Sequence, residues 1–535
     1  MNPESEASPV APTAAATAIS EVEAQGRAPR RVRALIGYDA IALLALSALH
    51  LFANLNLIPA WWRIATVTKR GAALLHSVGL PAPATNALAL MRDPARWLIV
   101  GTIIGLAVLY LVLDLILRSR PSPSRHGGWL RATLFTALLW FAVGHPLIGQ
   151  IWLRANVDRA RFAHDGGVLQ TEIAALGLLE GQNPYGRDYS KTPMARSGYS
   201  GSGNWRWMGY RQNPALRHYP YLPLTFLAAL PGIEIASWFG ARWDQRGLYA
   251  LAFLALIVLV GALAPPGEQR RLAVALVALN PLLIHDLVRG YSDILGLALL
   301  VASLVALRQR RIALASALLG AACATKPFAW LVVPFFVALW LGERRRQTPR
   351  PSHLSGLSPL WPGLVVVLVL VLPFCIWDLR AFVGDIFAFN AGTASLPADR
   401  YPIRGFHGYG LAAWLLYVGA VDSVRASFPF VLVQVLVVAP ILWFGGKRLL
   451  IAPRSAELEP SGPELGGAGT DLDVAGAELG VAALLGWSVA ALALFFVTAR
   501  FLHLNYLTYL LVLATTAIAA GWREELSGRC RPRRA

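Results

Sequence analysis

Residues 153 to 224 interrupt a chain that is otherwise largely apolar, and their reading decides the fold: RANVDRARFAHDGGVLQTEIAALGLLEGQNPYGRDYS runs from 154 to 190, and RHYPYLPL from 217 to 224. The stretch is too polar to lie in lipid and too rich in acids, amides and aromatics for a plain connector, so chemistry is expected there. Asp165 is followed by Gly166 and Gly167, then by Val168 to Glu180, where Leu169, Ile173 and Leu176 recur at helical spacing with Glu172 and Glu180 on other faces. That pattern predicts an amphipathic helix lying along a membrane surface. Gly181 ends it and Asn183-Pro184-Tyr185 turns the chain away. Tyr219-Pro220-Tyr221-Leu222-Pro223 then re-enters the bilayer with aromatics at headgroup level.

Composition says what surrounds this stretch. The 535 residues are 56% hydrophobic and only 15% charged, with a mean hydropathy of +0.52. Apolar runs of roughly 18 residues recur from residue 36 to residue 520, the pattern of a polytopic helical membrane protein, and a soluble enzyme is excluded. The net charge of +18 does not indicate a nucleic-acid partner, because the arginines cluster between apolar spans instead of forming one basic face. Cys323, Cys375 and Cys530 have no metal-ligand spacing and read as packing residues.

Arginine clusters set the expected topology. Residues 1–34 read as a disordered cytoplasmic tail, with no signal-peptide pattern. Two spans follow within 35–131, about 35–58 and 97–117, bracketed by Arg30, Arg31 and Arg33 and by Arg118, Arg120, Arg125 and Arg131. A third, about 132–152, exits, so loop 153–218 is extracytoplasmic. Beyond it, three apolar segments (219–240, 247–264, 272–288) leave the parity open: three full spans put the turn HDLVRGYSD (285–293) inside, and a segment that dips and returns puts it outside. Residues 312–341 read as a hairpin of two short helices with Thr325-Lys326-Pro327 at its tip, or as one long tilted span. Residues 346–446 carry further spans and an outer loop, 378–407, with Asp385, Asn390, Asp399, Arg404 and His407. Residues 447–479 read as a disordered cytoplasmic insertion, and 480–535 as the last two spans, joined by ARFLHLN, with a basic tail.

Asp165, the amphipathic helix, GQNPY (181–185), YPYLP (219–223), NPLLIHDLVRGYSDILGLALL (280–300) and ALLGAACATKPFAWLVVP (317–334) together resemble the GT-C glycosyltransferases, most closely glycosyltransferase family 87. The likeness spans roughly residues 135–345, with 132–345 as the catalytic module. It implies an all-α bundle of roughly 11–14 transmembrane helices in a bacterial inner membrane, with the active site on the extracytoplasmic face. It implies a polyprenyl-phosphate sugar donor, mannose included, and a lipid or glycan hydroxyl acceptor, with the loop acid as base. Two features depart from the family pattern: Arg289-Gly290-Tyr291 stands where a Gly-Gln pair is common, and two spans precede the loop where one is usual.

Such transfer needs a base for the acceptor hydroxyl and cations for the departing phosphate. Asp165 is the candidate base, with Asp158 and Asp293 as alternative acids, Asp286 equally placed, and Glu172 assigned to structure or solvation. Lys326 is the first candidate for the phosphate, because an ionisable group inside an apolar segment is costly and functional by default; Arg289, Arg404, Arg500 and His503 follow, with His407 beside them. Without the resemblance, a solvated loop acid is the better account of Asp165, and a lysine snorkelling to headgroups accounts for Lys326 equally well. Asn183, Tyr185, Tyr219 and Tyr221 are the substrate-loop candidates; stacking on sugar and interface anchoring both suit these aromatics, and Trp205, Trp207 and Tyr210 belong to a tract read as a lid. No metal cluster and no essential cofactor are expected, although a divalent cation is compatible with the chemistry. The rival readings are a transporter or flippase of a lipid-linked glycan, weakened by the lack of an internal repeat, and an oligosaccharide ligase or polymerase.

Overall fold

The computed structural model describes residues 36–54, 57, 94–119, 125–157, 160, 162–196, 205, 210–347, 357–393, 409–451 and 469–529. Asp158, Asp399, Arg404 and His407, the N-terminal tail, Cys530, and Trp207 with most of the lid tract lie outside these residues. Among the described residues there are helices and no strands. In chain order they are α1 (Tyr38–Asn54), α2 (Pro94–Ser119) and α3 (Arg125–Asn156), then α4 (Thr171–Leu179), α5 (Leu224–Trp238) and α6 (Arg246–Leu263). Next come α7 (Glu268–Ala278), α8 (Pro281–Arg289), α9 (Asp293–Arg308), α10 (Ile312–Cys323), α11 (Val333–Gln347) and α12 (Trp361–Trp377). The last are α13 (Leu379–Val383), α14 (Leu411–Tyr417), α15 (Phe430–Ile451), α16 (Gly469–Val497) and α17 (Leu504–Arg529). Among the described residues eight helices are long and apolar enough to cross a membrane, nine if the bent pair α7–α8 counts as one, and α1, α5 and α10 are shorter apolar helices. The chain is an all-α polytopic membrane protein.

The parity question is resolved by α5. Residues 219–223 form no helix that could start a span, and the backbone N–H groups of Leu222 and Leu224 donate to the carbonyls of Thr325 and Ala324. Helix α5 is short and broken near Ala228, so the chain does not cross there. Arg246, at the start of α6, donates to the Phe162 carbonyl, which puts that helix start beside the Asp165 segment. From there α6 leads away, α7–α8 lead back through a 46° bend at Leu279-Asn280, and residues 285–293 end up at the Asp165 end of the bundle.

Local chemistry shapes α8. Asn280 caps it by accepting from the N–H groups of Leu282 and Leu283, and Pro281 occupies the first turn. Gly290 ends it at φ +89°, where the N–H groups of Gly290 and Tyr291 both reach the Asp286 carbonyl. At Lys326 the chain is broken between α10 and a 3₁₀ turn, Pro327–Val332, that runs into α11: the hairpin form, with Lys326 at the break.

Among the described residues two large apolar cores result, with two small clusters beside them. The larger binds the long helices together; the smaller packs Tyr185, Tyr189, Tyr219, Leu222 and Phe226 onto Phe374 of α12 and Phe382 of α13. At the opposite end of the bundle an ion-pair cluster ties the two N-terminal helices to the rest: Asp114 accepts from Arg118 and Arg131, and Glu268 accepts from Arg118. Helix α16 starts at Gly469, inside the stretch 447–479 read as an insertion. The described part of loop 378–407 carries helical segments, α13 and then Gly384–Ala388 and Phe389–Ala391, held by the buried carboxylate of Asp385.

Candidate active site

A cavity of about 330 Å³ lies at the end of the bundle reached by α4, α9, α16 and α17. Asp165 opens a six-residue π-helical turn, Asp165–Gln170, that leads into α4, a geometry frequent at functional sites. Two close approaches hold this turn. A Cβ on Gly167 would fall 2.1 Å from the Gly290 carbonyl oxygen, and one on Gly166 would fall 2.3 Å from the Tyr221 hydroxyl; only glycine allows these contacts. Tyr249 donates to the Gly167 carbonyl at 2.6 Å, and the His164 N–H donates to the Arg289 carbonyl at 2.7 Å. The Asp165 segment is thereby fixed against the α8–α9 turn.

Asp165 is 5% exposed and lines the cavity. Its Oδ1 accepts from the Gly166 N–H at 2.8 Å and its Oδ2 from Asn213 Nδ2 at 3.1 Å; His164 Nε2 lies 3.5 Å from Oδ1. Across Tyr221 stands the other pole. Lys326 Nζ sits 5.1 Å from the centre of the Tyr221 ring and 2.7 Å from Asp293 Oδ1, and Asp293 Oδ2 accepts from Asn505 Nδ2 at 2.8 Å. Burial, with the charges of Asp165 and Asp293, holds the Tyr221 phenol well above its usual range, so its hydroxyl stays protonated between them.

Of the candidates named from sequence, Asp165, Lys326, Tyr221, Arg500 and His503 line this one cavity. Asp293 is fully buried behind Lys326, an ion-pair partner instead of a cavity acid. Arg289 contributes its backbone carbonyl to the Asp165 segment, and its side chain does not line the cavity. Tyr185 and Tyr219 are buried in the aromatic core, with ring centres 5.8 Å apart, and Tyr185 donates to the Tyr221 carbonyl at 2.9 Å. Asn183 accepts from the Tyr185 N–H, an Asx turn. These three lie behind Tyr221 and do not line the cavity. Trp205 and Tyr210 are likewise buried, packed edge to face. Glu172 is bound, not solvated: both its oxygens accept from Arg154. Asp244 completes this network with Arg154 and Arg246; burial would raise its carboxyl, but the hydrogen bond and charge of Arg246 and the charge of Arg154 outweigh burial and hold it down to about 2.

Residues that sequence reasoning passed over complete the walls. Asn213, in the tract read as a lid, holds Asp165; Gln170 donates from Nε2 to the carbonyls of Ala215 and His218. His218 and Asp385 pair at 2.8 Å, and Asp385 also accepts the N–H groups of Gly186 and Tyr219, tying three segments together. Only the amide in RQNPAL signalled Asn213 as a cap residue, which it is, through the Ala215 N–H. The far wall is apolar, with Phe328, Phe389, Phe430, Val431 and Phe495 leading to the start of α15. Among the described residues no three His, Cys, Asp or Glu side chains group to hold a metal ion.

No curated protein and no solved structure matches the chain. Residues 181–342 match the model of the MptA_B family, described as alpha-(1->6)-mannopyranosyltransferase, N-terminal domain. The matched region contains the Asn183 turn, Tyr221, Asp293 and Lys326, and supports mannosyl transfer as the general activity. Over that region the chain is similar to a mannosyltransferase family, in keeping with the GT-C, family-87-like character of its sequence.

Proposed function

We propose that the protein transfers a mannosyl group from a polyprenyl-phosphate donor to a hydroxyl of a lipid or glycan acceptor, on the extracytoplasmic face, with inversion at the anomeric carbon. The observation that carries this reading is one cavity bearing a buried carboxylate, Asp165, and a buried ammonium, Lys326, on either side of Tyr221. Asp165 takes the acceptor proton, the acceptor oxygen bonds to the anomeric carbon, and the carbon–oxygen bond to phosphate breaks with its electron pair going to the phosphate. Lys326, with Arg500 and His503 on the same wall, receives the negative charge; fixed cations in a water-poor cavity stabilise it more than water does. Asp293 keeps Lys326 compensated until the phosphate arrives. The apolar wall leading to α15 suits a polyprenyl chain entering from the membrane.

The test is transfer from a panel of radiolabelled polyprenyl-phosphate sugars into endogenous acceptors, using membranes with the wild type or Asp165→Asn at equal expression. Transfer by the wild type and a loss of at least about 10³-fold in the variant is expected, the scale of removing an essential acid–base group together with its orientation. Equal transfer by both would remove Asp165 as the base, and a product retaining the donor's configuration would remove direct displacement.

A further inference from the structure

His164 makes two contacts that define its protonation state. Its Nδ1 accepts from the Gly167 N–H at 2.8 Å, the side-chain cap of the π-helical turn. A backbone N–H can only donate, so Nδ1 carries no proton there, and a neutral imidazole must hold its proton on Nε2. Nε2 is the nitrogen that faces Asp165 Oδ1, 3.5 Å away. The residue is clamped: its backbone N–H donates to the Arg289 carbonyl, and the Tyr291 ring lies against the imidazole with ring centres 3.9 Å apart.

We propose that His164 is the positioning residue of Asp165, holding the carboxylate ionised and in place through an Nε2–H that the Gly167 cap enforces. This rests on the reading of Asp165 as base. The arrangement also assigns His164 what it does not do: taking up a proton at Nδ1 would put two N–H groups face to face and break the cap, so His164 is not the base itself. The groups facing it include Asp165 from its own segment, and Tyr291 and the Arg289 carbonyl from the α8–α9 turn, with His285 on the far side of Tyr291. Tyr291 sits in the field of Asp165, Asp286, Asp293 and Arg289, and burial keeps its phenol protonated. It therefore adds no titration near neutral pH. Asn213 supports the other carboxylate oxygen.

Asparagine and glutamine separate the two contacts. Asn at 164 can keep the cap on Gly167 through its carbonyl oxygen but is too short to reach Asp165; Gln presents an N–H group where Nε2–H stood and gives up the cap. The readout is the pH midpoint for carbodiimide labelling of Asp165 in the full-length, detergent-solubilised protein, quantified by mass spectrometry of its peptide. Losing a donor to a carboxylate raises its pKa, so His164→Asn is expected to move the midpoint up by about one pH unit, a tenfold change in proton affinity. The acid limb of kcat/KM should move with it, with kcat down about tenfold and donor KM unchanged. His164→Gln is expected to keep the wild-type midpoint while lowering the melting temperature. An unmoved midpoint in His164→Asn, or equal shifts in both variants, overturns the proposal. Undiminished transfer by Asp165→Asn would instead refute the base reading, and the labelling would still decide the role of His164.

Discussion

Replacing Gly167 with alanine is expected to separate the two halves of the site without touching any charged group. The new Cβ would sit 2.1 Å from the Gly290 carbonyl oxygen and 3.1 Å from Gly290 C and Ser292 N, all backbone atoms that cannot rotate aside. Reaching the 3.4 Å at which ordinary contact begins means opening the interface by about 1.3 Å at the oxygen. The α8–α9 turn resists: Gly290 is committed to φ +89°, and Arg246 packs against it while bonding the Val288 carbonyl. The Asp165 segment therefore moves, away from the turn that carries Asp293 and, through it, Lys326. Overpacking of this kind costs about 1–3 kcal/mol, and a displacement near 1 Å of a positioned reacting group costs about 10²-fold in rate. Gly101→Ala is the control, since a Cβ there meets nothing within 4 Å. Transfer from polyprenyl-phosphate mannose and thermal unfolding in detergent should both fall for Gly167→Ala and neither for Gly101→Ala. Wild-type transfer and melting in Gly167→Ala would refute the idea that the 165–170 turn and the 289–293 turn form one unit.

Two further predictions follow from charges. Asp293→Asn leaves the ammonium of Lys326, whose side chain is 9% exposed, without its carboxylate, which should cost about 3–5 kcal/mol of stability; Lys326→Met with Asp293→Leu should recover stability in a melting assay yet fail to transfer. For Asp244, the folded carboxyl lies near 2, below its usual 3.8. Its stabilisation, about 2 kcal/mol, is present above pH 4 and lost as pH falls towards 2. Asp244→Asn should flatten the melting temperature across that window, and an unchanged slope would count against the Arg154–Glu172–Asp244–Arg246 network as a structural anchor.

The membrane class was legible from hydropathy alone, because burying about 20 apolar residues per span leaves a pattern independent of partners. The hairpin at Lys326 was one of two readings the sequence left open, beside a single tilted span, and residues 285–293 already read as a turn between apolar segments. Glu172 shows the opposite case. Its position on a surface helix left structure and solvation both open, and its actual partners, Arg154 and the backbone N–H of Gln245, stand 18 and 73 residues away in sequence, beyond any local signal. Tyr185 and Tyr219 likewise looked like ligand-facing aromatics, and the packing of a second apolar core took them instead.

The sequence by itself determined that this is a polytopic helical protein with an acid, Asp165, presented on a polar stretch and a lysine, Lys326, within an apolar segment. Only the tertiary structure decided that the two share a cavity, that Asp293 belongs to Lys326, and that the 285–293 turn lies at the same end as Asp165. The physical reason is that these facts rest on contacts between distant segments, Gly167 against Gly290 and Leu222 against Thr325, whose energetics depend on shapes that no local pattern encodes.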